Sequence, residues 1–165
     1  MENEERAFHT LRGFLTDDEP DEPIYTAFSA TLRITGCNPS YQPYAAPDHA
    51  LVRLDIAEIE SRLGVEATTC FRHGEIRHGR ARRFDAWHYK AHLEEDEPLG
   101  DHIDALWTAI SPGRDYLRAL KKTVLVDVFL GYRSNSDFAG IQIPHTSLQM
   151  FTELEIPFGI SIIVT

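Results

Sequence analysis

Apolar and polar residues alternate most regularly between Phe84 and Leu93. Trp87, Tyr89, Ala91 and Leu93 fall on one face, and His88, Lys90 and His92 on the other. A period of two with a large aromatic on one side predicts a half-buried strand. The same period predicts a first strand in Ile24–Thr35, where Phe28, Ala30, Leu32 and Ile34 share a face. It recurs in Val124–Leu130, with Val124, Val126, Val128 and Leu130 opposite Leu125, Asp127 and Phe129. Val65–Phe71 and Ile160–Val164 add short strands. Gly140–Ile143 is expected to pair back on Val124–Leu130 as a hairpin, across the polar turn Tyr132–Phe138.

Helical spacing takes over between these runs. In Asp55–Leu63, Ile56, Ile59 and Leu63 share a face. Asp55 and Glu58 form a capping-box-like pair, and Gly64 stands where a left-handed cap is expected. Pro98 suits the first turn of a second helix, with Leu99, Ile103, Leu106 and Ile110 as its buried stripe and Ser111-Pro112-Gly113 as its stop. Arg114–Leu120 adds a further turn or two, with Leu117 and Leu120 inward. A last helix opens at Pro144 and turns Leu148, Phe151 and Leu154 to one face.

The resulting order is β-α-β-β-α-β-β-α-β. It predicts an α+β fold, a mainly antiparallel sheet with helices packed on one face. Residues 24–165 read as a single domain. Met1–Pro23 reads as an acidic N-terminal extension and linker ending in DDEPDEP. Within it Phe8, Leu11 and Leu15 have helical spacing, so Glu4–Leu15 is either a short docking helix or a frayed tail. Gly36–Pro47, with three prolines, a glycine and two tyrosines, is a loop long enough to carry function.

Charge changes the picture at one place. The chain carries −10, yet Arg72–Arg83 carries five arginines against one glutamate. An acidic body argues against broad binding to nucleic acid or anionic membranes. No stretch reaches the roughly 18 apolar residues of a membrane span. MENEER is acidic where a signal peptide is basic. Cys37 and Cys70 form no CxxC and no zinc spacing, and two lone thiols suit a reducing cytoplasm.

Several features in order resemble a known bacterial family, the Domain of Unknown Function 4279 family, over roughly Tyr25–Val164. They are a first strand ending in LRIT, a helix leaving through Leu63-Gly64-Val65, and Thr68–Glu75 (TTCFRHGE) with its basic-Gly-acidic turn. Trp87 on its strand follows, then Ile103, Leu106 and Ile110 leading to Pro112, then the VDVFLGY strand and a terminal helix and strand. The chain departs from the family pattern in its Gly36–Pro47 insertion, in Ala67 where proline is usual, and in its acidic extension. The resemblance implies this fold and a bacterial, cytoplasmic setting. It brings no activity and no catalytic residues.

Candidate chemistry is sparse. His88 and His92 would chelate an ion from a helix, but on a strand four residues span about 13 Å. His73 and His78 have no carboxylate or cysteine spacing to complete a site. Neither G-x-S-x-G nor a phosphate-binding glycine loop is present. Cys70, beside Phe71, reads as packing in a core strand, although Arg72 and His73 would activate it if it were exposed. Glu94–Glu97 is explained by the helix it precedes. The expectation is no catalytic residue, no metal and no cofactor.

That leaves Arg72, His73, Arg77, His78, Arg80, Arg82 and Arg83 as candidate partner- or anion-binding residues. The plain reading is a solvated turn balanced by nearby acids. The functional reading is a surface for a protein partner, in an immunity-type or accessory protein, because arginine forks on a rigid support suit acidic partners. The alternative is an enzyme or small-anion-binding domain around the same arginines. A homo-oligomer is left open.

Overall fold

The three alternating runs become the middle of a five-stranded sheet. The computed structural model describes residues 24–40, 51–136 and 140–165. Expectations for Met1–Pro23 and for residues 41–47 of the long loop lie outside the described residues. The strands are β1 (Thr26–Thr35), β2 (Thr69–Phe71), β3 (Ile76–Arg77), β4 (Arg80–Ala81), β5 (Ala86–Lys90), β6 (Leu125–Ser134) and β7 (Phe158–Val164). The helices are α1 (Ile56–Leu63), α2 (Leu99–Ile110), α3 (Arg114–Leu120) and α4 (Gln149–Leu154). The main sheet runs β2-β5-β1-β6-β7, and β3-β4 forms a separate ribbon. All neighbours in the main sheet are antiparallel except β6 and β7. The α+β expectation therefore holds.

Alternation decides the layers. Ala30, Leu32 and Ile34 of β1, Trp87 and Tyr89 of β5, and Val126, Val128 and Leu130 of β6 are buried in one cluster. The same cluster takes Ile59 and Leu63 from α1, Leu99, Ile103, Leu106 and Ile110 from α2, Leu117 from α3, and Met150, Phe151 and Leu154 from α4. Each buried Val, Leu, Ile, Met or Phe among them stabilises the domain by about 1.5–3 kcal/mol relative to exposure. The Asp55 carboxylate accepts from the Glu58 N–H, and Gly64 caps α1 at φ 70°. Both helix signals were legible.

Three expectations need correction. Gly140–Ile143 is no strand. Both edges of β6 are already taken, by β1 and by β7, and β6 itself runs on through Ser134. The expected turn at Tyr132–Phe138 therefore begins inside a strand, and residues 137–139 lie outside the described ones. Ser111-Pro112-Gly113 does stop α2 at Ile110, and leads through a 3-10 turn into α3. Cys70 is exposed, not packed, because β2 is a three-residue edge strand. Cys37 is the buried thiol, and burial pushes its pKa up.

His102 on α2 is fully buried, and among the described residues neither ring nitrogen has a hydrogen-bond partner. Burial, helped by the Lys90 charge, pushes its pKa below the ordinary 6.5, against the opposing charges of Asp101 and Glu95. Burial also lowers His88, helped by Arg33. Both rings take up a proton less readily in the fold than in the unfolded chain, which is therefore protonated first. Their stabilisation is complete above the unfolded value near 6.5 and is lost as pH falls below it. Denaturant titrations should show stability declining from roughly pH 7 to pH 5, and His102→Leu should make that decline shallower. An identical slope in the variant contradicts this assignment.

Candidate functional site

The site is built on one buried carboxylate. Asp85 stands just before β5 and is fully buried. It accepts from the backbone N–H of His73 (2.8 Å) and of Leu54 (3.0 Å). It also accepts from Arg53 Nη1 at 3.0 Å and Arg72 Nη1 at 3.3 Å. Burial alone would raise this carboxyl, but the two backbone N–H groups and the Arg53 guanidinium outweigh it and hold its pKa below the ordinary value. The Asp85 carbonyl takes the Gly36 N–H at 2.8 Å. A side chain at Gly36 would run into the Val52 carbonyl, so only glycine lets these segments meet. Arg72 Nη1 also donates to the Leu54 carbonyl at 2.6 Å.

From this anchor the chain projects a β-hairpin. β3 and β4 pair through Ile76↔Ala81 and Arg77↔Arg80. His78 and Gly79 make the two-residue turn, both at positive φ (50° and 73°). That is the primed geometry whose twist suits a hairpin, and glycine favours it. At the root, Gly74 N–H donates to the Arg82 carbonyl and Arg82 N–H to the Glu75 carbonyl. His73 Nδ1 lies 2.7 Å from the Arg83 carbonyl.

This pairing puts Glu75, Arg77, Arg80 and Arg82 on one face of the ribbon and Ile76 and Ala81 on the other. The Arg82 guanidinium lies 4.4 Å from the centre of the Phe71 ring, and that of Arg77 6.0 Å from it. Arg77 Nε also donates to Glu75 Oε1 at 2.7 Å. This bond, then the Arg72 N–H, holds the Glu75 pKa below the ordinary value. Arg83 lies over Phe84, 6.0 Å from its ring centre. Arg80 and His78 stand exposed at the tip, and Ile76 is 73% exposed.

The seven candidate residues thus divide. Arg72 and the His73 backbone belong to the anchor. Arg77, Arg80, Arg82, Arg83 and His78 form the projecting surface. The described grooves lie elsewhere. One, of about 230 Å³, is lined by Ser29, Phe129, Gly131, Arg133 and Ser161 among others. Among the described residues no three His, Cys, Asp or Glu side chains group as metal ligands, and no helix is long and apolar enough to cross a membrane.

A model of the family described as Domain of unknown function (DUF4279) matches residues 26–165. The chain belongs to that family. The DUF4279 match begins at the first residue of β1 and takes in the whole hairpin and its anchor. Neither a curated protein nor a solved structure matches the chain.

Two residues central to this DUF4279 site, Asp85 and Arg53, escaped the sequence reading. Asp85 had one signal: it is the lone acid between Glu75 and Glu94, set directly before a core strand. A carboxylate there has to be buried, and a buried carboxylate needs donors. Arg53 had no signal of its own.

Proposed function

We propose that this DUF4279 domain is a binding module that contacts an acidic protein partner through the Arg72–Arg83 hairpin. The observation that carries this reading is the construction of the hairpin. Asp85 fastens its root through the His73 N–H and the Arg72 guanidinium, and none of Arg77, Arg80, Arg82 and Arg83 is among the groups bonded to that carboxylate. Arg77 and Arg82 lie over Phe71 on one face of the ribbon, and the exposed Ile76 stands on the other; guanidinium and apolar surface of this kind suit protein interfaces. An immunity-type or accessory role in the cytoplasm fits such a module.

The small-anion reading has less support. Glu75 stands on the same face and already occupies the Arg77 fork. Arg72 is committed to Asp85 and to the Leu54 carbonyl. A small anion entering there meets a carboxylate first.

Exposed charges steer encounter and make association sensitive to salt. Partner capture by the immobilised domain should weaken steadily as sodium chloride is raised, and Arg80→Ser alone should weaken it further at low salt. Capture that is indifferent to both salt and Arg80 counts against the hairpin as the contact surface.

A further inference from the structure

The main sheet ends on β7, and that edge is built unlike a protected one. Its inner side pairs with β6 from Val128↔Phe158 to Ser134↔Val164, and β7 closes the strand order of the sheet. Phe158, Ile160, Ile162, Ile163 and Val164 are all exposed, Ile162 to 61%. From Ile156 to Thr165 no residue is charged, and the strand holds no proline. Natural edge strands are normally blunted by charge, proline, a bulge or short length. The opposite edge, β2, has only three residues, and Arg77 Nη2 already donates to its Cys70 carbonyl.

We infer that β7 is a dimerisation edge, pairing antiparallel with β7 of a second copy to give one ten-stranded sheet. The pattern of the strand selects this occupant. A two-fold axis at Ser161 sets Phe158 opposite Val164, Gly159 opposite Ile163, Ile160 opposite Ile162, and Ser161 opposite itself. Directly opposed residues of an antiparallel pair share a face. Phe158, Ile160, Ile162 and Val164 stand in register with Val128, Leu130, Tyr132 and Ser134, on the helix side of the sheet. In the pair they cover one another, and the helices of both copies lie on one side. On the other face the smallest residue, Gly159, meets the exposed Ile163; a side chain at Gly159 would find open space. Charge agrees. An uncharged strand offers nothing to an ionic partner, and pairing it with itself brings no like charges together. The −10 on each chain is screened beyond about 8 Å at physiological salt.

The test is sedimentation mass over a concentration series, with the full chain and with Ile162→Lys, which places on the edge the charge it lacks. Beside it stands Ser161→Cys in a Cys70→Ser background, treated with oxidised glutathione. Opposed Cα atoms in an antiparallel pair lie about 4.5–5.5 Å apart, within disulfide reach. The expected result is a wild-type dimer, a monomeric Ile162→Lys protein of similar melting temperature, and a covalent dimer of the cysteine variant. If Ile162→Lys fails to fold, the cross-link decides. A wild type that stays monomeric, whether the N-terminal segment or another partner holds the edge, overturns the inference. So does a dimer that survives Ile162→Lys, or a cysteine variant that does not cross-link.

Discussion

Replacing Asp85 with alanine should destabilise the domain by about 3–5 kcal/mol, the usual range when one partner of a buried ionic arrangement is removed. The loss comes from the donors left behind. The His73 and Leu54 N–H groups both end on the Asp85 carboxylate, and each bond to a charged group contributes about 1.5–3 kcal/mol. The Arg53 and Arg72 side chains are more than half exposed and return to water, so they add less. Asp85→Asn keeps an acceptor oxygen and should fall between wild type and alanine. The damage should also be local: amide exchange should quicken across residues 72–83 before it quickens in β1 or β6. Equilibrium denaturation together with hydrogen exchange measures both. A loss under about 1 kcal/mol with an unchanged hairpin would show that the anchor is incidental.

Trp87→Ala should be as costly, about 3–5 kcal/mol, for a different reason. Trp87 is fully buried, lies 6.3 Å from the Tyr89 ring in a stacked arrangement, and directs its indole N–H to Glu60 Oε1 at 3.4 Å. Truncation leaves a cavity between sheet and helices that neighbouring side chains fill only in part. Because Glu60 Oε1 also holds the Ala67 N–H, Trp87→Phe should cost less than alanine but more than nothing. Chemical denaturation of the three proteins gives the order. A small effect for alanine would place the indole at the surface and contradict the core described here.

What was legible follows from which signals are local. Alternation at Phe28–Ile34, Phe84–Leu93 and Val124–Leu130 is a local record of which face is buried, and the caps Asp55 and Gly64 are local chemistry. Strand partners are not local. Proximity in sequence points Gly140–Ile143 to β6, but β7, reached through α4, takes that place and runs parallel. The adjoining Phe71 points Cys70 to the core; its exposure depends on β2 being an edge, a fact of topology. In the site, the excess of arginine was plain, whereas its division into anchor and display was not. Arg72 and Arg80 look alike in sequence, and only the fold brings Asp85 to one of them.

The central proposal is that Asp85 holds the hairpin while Arg77, Arg80, Arg82 and Arg83 serve association. The most direct measurement compares wild type with a variant carrying all four as serine, in melting temperature and in partner capture from the native host at low and high salt. The account predicts a melting temperature within a few degrees of wild type, since exposed ion pairs contribute about 0–1 kcal/mol each, and loss of the salt-sensitive partners. A collapse in melting would make these arginines part of the fold, and unchanged capture would move the contact surface away from the hairpin.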